Sequence, residues 1–229
     1  MKKYLPTIAL AVLLTAGVAL LLYPGVSNWW NQRHASQVIA TYERELAELE
    51  RKDYSALWAD AHAYNRELAE RFGQSGLSER QRKVYASLLN VTGSGVMGYL
   101  EIKKLGVLLP IYHGTDEAVL QVAVGHVDWT SLPAGGVGTH CVLSGHCGLP
   151  SARLLSDLDR LKKGDTFALH VLDRTLHYMV DRIEVVTPEN TAALQLDKDR
   201  DYCTLITCTP YGVNTHRLLV RGSRMEGQK

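Results

Sequence analysis

Residues 204–217 of the chain read TLITCTPYGVNTHR, and this stretch determines which fold and which chemistry have to be considered. It begins with β-branched and apolar residues over the length of a strand, and the turn-forming residues 209–212 then separate it from a second strand at 218–220. Cys208 therefore ends a strand, a common place for reactive groups, and Arg217 stands on the next strand. A buried structural cysteine is the alternative, because free cysteine is among the most buried residue types.

A histidine earlier in the chain completes the pattern. His146 ends a strand-like run, LSGH at 143–146. The sequence resembles the sortases, which are cysteine transpeptidases of Gram-positive cell surfaces. The resemblance rests on Thr-Leu-x-Thr-Cys, on an arginine nine positions after the cysteine, and on this histidine. Segments 93–114, 125–165 and 201–222 resemble the class C sortases, which polymerise pilins.

The resemblance implies three catalytic roles. Cys208 would be the nucleophile, since a thiolate attacks peptide carbonyls. His146 would be the general acid and base, because imidazole titrates near pH 6.5; His140 and His216 are its nearest rivals among the nine histidines. Arg217 would stabilise the oxyanion or the substrate through a planar donor group that stays charged.

Two further residues are candidates for substrate contacts. Thr207 precedes the nucleophile and Ser144 lies two positions before the histidine, although ordinary strand residues would explain both equally well. His216 is adjacent to Arg217 on a predicted strand, so its side chain should point to the opposite face, away from the site.

The chain has four cysteines. Cys141 lies five residues before His146, and Cys203 lies five before Cys208. If these strands are parallel neighbours, as the resemblance implies, Cys141 and Cys203 come close together, either as a disulfide or as two buried free thiols. Cys147 lies in a predicted loop and is a candidate for oxidation. The spacings match no usual zinc pattern, and we expect neither a metal nor an organic cofactor.

The pattern of short strands predicts a mainly β fold, and the resemblance implies the sortase-type eight-stranded β-barrel, with N-terminal helices and an N-terminal transmembrane anchor. A hairpin turn is predicted at 173–175. A short helix is predicted at 151–161, with Ser151 as its cap and four leucines on its inner face, Leu154, Leu155, Leu158 and Leu161. The predicted strands are 97–102, 107–111, 139–144, 166–172, 176–186, 202–208 and 217–224.

The N-terminus predicts a membrane anchor. Residues 5–22 carry no charge and follow two lysines, and about 20 such residues cross a bilayer. A cleaved signal peptide is the alternative, but its apolar region is usually about 7–15 residues long. The predicted division is a cytoplasmic tip and anchor at 1–26, a helical region that would hold any lid at 27–92, and an extracellular catalytic barrel at 93–229.

Residues 27–72 are predicted to be helical, with Ser27 and Asp53 as N-caps. An apolar stripe is expected to pack on the barrel or, alternatively, to bind a partner; it consists of Leu57, Ala61, Tyr64, Leu68 and Phe72. In class C sortases a lid crosses the active site, anchored by an Asp-Pro-aromatic tripeptide that this sequence lacks. Trp58 and Tyr85 are the alternative residues that could plug the cleft.

A net charge of +1 gives no basis for nucleic-acid binding. The resemblance implies cleavage of a Leu-Pro-x-Thr-Gly-like sorting signal after its threonine and transfer of the acyl group to an amine. That amine would be a pilin lysine or, in housekeeping sortases, part of a cell-wall precursor. A Cys-His hydrolase and a non-catalytic, membrane-anchored scaffold for pilus assembly remain the alternatives.

Overall fold

A computed structural model describes residues 4–49, 54–70 and 76–225 of the chain. The α-helices in these residues are α1 Leu5–Glu48, α2 Ser55–Glu70, α3 Glu79–Ser87 and α4 Glu117–Leu120. The strands are β1 Val96–Ile102, β2 Val107–His113, β3 Val124–His126, β4 Thr139–Ser144, β5 Thr166–Val171, β6 Arg174–Val186, β7 Asp201–Thr209 and β8 His216–Arg224.

The eight strands form one closed barrel, which confirms the predicted fold class. Their order around the barrel is β1-β2-β3-β4-β7-β8-β6-β5, and β5 pairs with β1 to close it. Two pairs are parallel, β2 with β3 and β4 with β7, and the others are antiparallel. In this closed order each strand of the described residues has a neighbouring strand on both sides.

The barrel wall separates two apolar clusters. Side chains that point inward, among them Leu143, Leu205 and Val220, form the main core and are fully buried. Their neighbours along the same strands point outward, where Val142 and Leu219 pack with Leu194 in a smaller cluster under the β6–β7 connection. This two-residue alternation decides which face of the barrel each functional side chain occupies.

The seven predicted strands correspond to seven observed strands, with bounds that differ by two residues or fewer. The prediction missed β3, which has only three residues and is defined by its pairing with β2 and β4 rather than by a pattern of its own.

The predicted helix at 151–161 is wrong. The structure has turns there and a 3-10 helix at Leu158–Arg160. Leu154 adopts a φ of 38°, in the left-handed region, and the amide of Leu155 bonds the distant carbonyl of His146 instead of a helical partner. The leucines expected on the inner face are nevertheless buried, namely Leu154, Leu155, Leu158 and Leu161.

The helix α1 runs without interruption through Pro24, so the prediction that Ser27 caps a new helix is wrong. A cap is needed only where a helix begins, and this chain is already helical from Leu5. The helix contains an 18-residue window of mean hydropathy 2.1 with no buried residue, which makes it a candidate membrane anchor. The proposed cap Asp53 and the stripe residue Phe72 lie outside the described residues.

The apolar stripe of α2 packs on the barrel, as predicted. Ala61, Tyr64 and Leu68 are buried in the main core. Asn65 fixes the contact, because its side-chain amide donates to the carbonyl of Leu132 at 3.2 Å and accepts from the Leu132 amide at 2.8 Å.

Candidate active site

Strand register brings the three predicted catalytic residues into one row. Cys208 on β7 and Arg217 on β8 are register partners. On the other side of β7, the parallel strand β4 pairs Ser144 with Ile206. His146 and Cys208 each lie two residues beyond that pair. Adjacent strands are about 4.8 Å apart, so the three residues lie at the ends of three neighbouring strands, about 10 Å across, with His146 just beyond the end of β4.

The side chains of Cys208 and Arg217 belong to the outer face of the barrel. Ile206 packs in the outer cluster, and Cys208, two residues further along β7, shares its face. Leu219 packs in the same cluster, and Arg217 lies two residues before it on β8. Cys208 itself is half-buried.

Hydrogen bonds hold the segment that carries His146 against β7. The amide of Gly145 donates to the carbonyl of Ile206 at 3.0 Å, and the Thr207 hydroxyl donates to the carbonyl of Gly145 at 2.8 Å. Gly145 also has to be glycine for steric reasons, because a Cβ there would lie 2.9 Å from Leu155. These contacts extend the β4–β7 pairing by one residue and set the position of His146.

The imidazole of His146 is partly buried, and its Nε2 atom has no hydrogen-bond partner among the described residues. The nearest carboxylate oxygen is Oε2 of Glu117, 3.9 Å from Nε2. Glu117 begins α4, and its other oxygen accepts from the side-chain amide of Gln121 at 2.5 Å. The sequence analysis did not include Glu117, since only the fold brings α4 to the histidine.

The guanidinium of Arg217 is oriented by the loop that precedes β8. Its Nη1 atom donates to the carbonyl of Asn214 at 3.3 Å and to that of His216 at 3.1 Å. Asn214 has a φ of 61°, a left-handed conformation that asparagine tolerates better than most residues. The loop thus directs backbone carbonyls toward one edge of the arginine.

The two residues suggested for substrate contacts, Thr207 and Ser144, have different surroundings. Thr207 is buried, lies on the face of β7 opposite Cys208, and uses its hydroxyl to bind Gly145. Ser144 is half-buried at the end of β4, two residues before His146.

The rival histidines have other environments. His140 is fully buried between the carbonyl of Gln195 and the hydroxyl of Thr204, at 2.9 and 2.7 Å. Burial lowers its pKa, and the nearby Arg221 adds to this. His216 is exposed, with its ring against Thr215 at 3.0 Å.

Comparison with known proteins is decisive for the family. A family profile described as the sortase domain matches residues 100–225, more than half of the chain. The chain belongs to the sortase family. It is 30% identical over 151 residues to sortase D of Bacillus subtilis strain 168. This alignment covers 65% of this chain and 73% of that protein.

Solved structures relate this sortase to class C. Sortase C1 from Streptococcus agalactiae aligns with a TM-score of 0.81 and 45% identity, over 84% of this chain and 100% of that one. The sortase C of Clostridium perfringens, solved with the C-terminal cell wall sorting motif, aligns with a TM-score of 0.74 and 39% identity, again over 84% and 100%. The resemblance expected from the sequence is therefore confirmed.

The cysteines of this sortase are free thiols. Cys141 and Cys203 are register partners on β4 and β7, as the equal offsets predicted, and both are fully buried in the main core. Burial raises the pKa of Cys203, and the adjacent Cys141 raises it further. Cys147 is buried beside Ser156, and burial raises its pKa, which disfavours the reactive thiolate and argues against the predicted sensitivity to oxidation.

Neither aromatic residue suggested as a plug lies in the cleft. Trp58 is buried, and its Nε1 atom donates to the Asp173 carboxylate at 2.8 Å in the turn between β5 and β6. Tyr85 is buried against His126, 2.9 Å from its Nδ1 atom, and accepts from the amide of Gly114. The suggestion is wrong because both residues complete the core instead of covering Cys208.

Proposed function

We propose that this sortase is a class C transpeptidase that joins a sorting signal to an amine through a thioacyl intermediate on Cys208. The observation that carries the proposal is that Cys208 and Arg217 are register partners on β7 and β8, while His146 follows β4, the other neighbour of β7, two residues after its last paired residue. A nucleophile, a proton-transfer group and a fixed cation are what acyl transfer requires.

In the proposed first half-reaction, the thiolate of Cys208 attacks the carbonyl carbon of the scissile peptide bond. Arg217 stabilises the resulting oxyanion, and a donor of this kind contributes on the order of 3 kcal/mol. His146 protonates the leaving amine, the C–N bond breaks, and the acyl group stays on sulfur as a thioester.

In the second half-reaction an amine attacks the thioester carbonyl. His146 accepts a proton from the incoming amine, a new C–N bond forms, and the C–S bond breaks to release Cys208. Water would follow the same route and give hydrolysis, so the choice of acceptor separates a transpeptidase from a Cys-His hydrolase.

The proposed donor is a Leu-Pro-x-Thr-Gly-like signal, and the proposed acceptor is a pilin lysine. The similarity to sortase C structures supports both, including the one solved with a sorting motif. A housekeeping sortase would use a cell-wall amine instead. The apolar part of α1 supports a single-pass anchor with the barrel, residues 93–229, outside the membrane.

A mass measurement tests the proposal. The full chain in detergent is incubated with a library of Leu-Pro-x-Thr-Gly peptides, with and without a lysine-containing acceptor peptide. We expect an adduct on Cys208 that the acceptor removes as a ligated product, and no adduct on the Cys208→Ala variant. Loss of the adduct at the same rate without acceptor would favour a hydrolase. Wild-type pilus assembly by Cys208→Ala in cells would favour the scaffold.

A further inference from the structure

The polar turn of α1 just beyond its apolar segment contacts the loop that follows His146. The side-chain amide of Asn31 donates to the carbonyl of Ser151 at 2.7 Å. One turn earlier, the side-chain oxygen of Asn28 accepts from the amide of Arg153 at 2.9 Å. Residues three apart share one face of a helix, so the two asparagines form a pair directed at one stretch of loop.

The backbone partners fix what each asparagine supplies. A carbonyl can only accept, so Asn31 must present its NH₂ group, and an amide can only donate, so Asn28 must present its oxygen. Asparagine offers both groups, whereas aspartate at neutral pH offers only acceptors. The same substitution at the two positions therefore preserves one bond and removes the other.

The loop transmits this contact to His146. Two residues after Arg153, the amide of Leu155 donates to the carbonyl of His146 at 3.2 Å. The hydroxyl of Ser156 accepts from the amide of Gly148 at 3.0 Å, which closes the loop on itself. Inside the loop, Leu149 and Ala152 form an isolated β-bridge and the amide of Ser156 donates to the carbonyl of Arg153 at 2.7 Å. The two asparagines add bonds from α1 to this backbone framework.

The part of α1 that follows the asparagines is packed against the barrel. Ala35, Ile39 and Tyr42 are buried, and the Tyr42 hydroxyl donates to Met97 at 3.1 Å while accepting from the amide of Leu172 at 2.9 Å. Because α1 is continuous, the asparagines cannot move independently of the anchor. Asn28 lies six residues beyond the apolar run, about 9 Å along a helix.

We propose that Asn28 and Asn31 are positioning residues through which the membrane anchor sets the location of the catalytic loop. The inference rests on the proposed function in assigning catalysis to His146. The anchor helix is then part of the active-site framework as well as a tether, and it holds the site close to the membrane surface.

The test compares Asn31→Asp with Asn28→Asp in the full chain, reconstituted in lipid bilayer discs. Both variants add one negative charge on the same helical face, but only Asn31→Asp loses its bond and places a carboxylate against a carbonyl. We expect Asn31→Asp to lower the rate of thioacyl formation at least about ten-fold at an unchanged melting temperature, since small misplacements of reacting groups are costly. Asn28→Asp should stay within about two-fold of wild type.

A second readout needs no substrate. The imidazole signal of His146, recorded by NMR with labelled histidine, should shift in Asn31→Asp and keep its wild-type position in Asn28→Asp. Equal rates and equal spectra for the two variants would overturn the proposal. If wild type formed no adduct with any peptide, the proposed function would fail, while the spectra would still decide whether Asn31 positions the loop.

A variant pair without added charge covers the case in which Asn31→Asp does not fold. Asn31→Ala removes the donor, and Gln32→Ala truncates the adjacent residue. Asn31 and Gln32 both line a cavity of about 190 Å³. Within the described residues, the Gln32 side chain makes no hydrogen bond to the loop. We expect slowed thioacyl formation only in Asn31→Ala. Identical behaviour of these two variants would contradict the positioning role.

Discussion

Cys208 and Arg217 are register partners on the antiparallel strands β7 and β8, and both side chains belong to the outer face of the barrel. This pairing places the candidate nucleophile next to a permanent positive charge. Arg221 follows on the same face of β8, but it forms a two-bond ion pair with Asp181, at 3.1 and 2.7 Å, and packs over the ring of Tyr202. The strand β8 therefore carries one arginine in the candidate active site, Arg217, and one with a structural role, Arg221.

Substitution by lysine should separate these two roles. Arg217→Lys keeps the charge but loses the planar donor group, and we expect kcat/KM for thioacyl formation to fall about 100-fold with an unchanged melting temperature. Arg221→Lys should lower the melting temperature and leave kcat/KM of the folded protein near wild type. Peptide kinetics and thermal unfolding of both variants check this. Wild-type kinetics in Arg217→Lys would remove Arg217 from the mechanism.

Substitution of Gly145 tests how strongly close packing beside His146 fixes the position of that histidine. A Cβ there would lie 2.9 Å from Leu155 and 3.1 Å from Val124. We expect Gly145→Ala to destabilise the fold by about 1–3 kcal/mol and also to slow thioacyl formation in the folded protein, because the strain falls beside His146.

The matched control is Gly222→Ala on β8, where a Cβ would lie 2.8 Å from both Phe167 and Tyr178 in the core. This variant should lose comparable stability, measured by urea unfolding, but keep the wild-type turnover of its folded fraction. Equal losses of turnover in the two variants would show that the effect comes from overpacking in general.

The strands were predictable because their information is local. Runs of β-branched and apolar residues indicate β4, β7 and β8, and the motif around Cys208 is contiguous in sequence. The helix predicted at 151–161 failed because the amide of Leu155 bonds His146 and Leu154 is left-handed, and neither fact is written in the spacing of the leucines. The contact from Asn31 to Ser151 spans 120 residues, so only the folded chain reveals it.

Alkylation should distinguish Cys208 from the other three cysteines. Cys208 is half-buried, whereas Cys141, Cys147 and Cys203 are buried. We expect iodoacetamide to add one label to the native full chain, on Cys208, and four labels after unfolding without reductant. Peptide mass mapping identifies the sites. Only two labels on the unfolded, unreduced chain would indicate a disulfide between Cys141 and Cys203.

The buried His140 should make the fold sensitive to mild acid. Burial lowers its pKa in the folded protein below the ordinary value of about 6.5, at which the unfolded chain titrates. Between these two pKa values the unfolded state binds more protons than the folded state. The contribution of neutral His140 to stability is therefore fully present above pH 6.5 and is lost as the pH falls toward its folded-state pKa. One such group contributes a slope of at most about 1.4 kcal/mol per pH unit.

Urea unfolding of the full chain in detergent at pH 7.5, 6.5 and 5.5 measures this slope. His140→Asn should be less stable at pH 7.5, because it loses buried contacts, but its stability should fall less on acidification. Thr204→Val removes the hydroxyl 2.7 Å from Nε2 and keeps the imidazole, so it should lower stability while retaining the wild-type slope. A wild-type slope in His140→Asn would assign the acid sensitivity to other groups, such as His113, whose pKa burial also lowers.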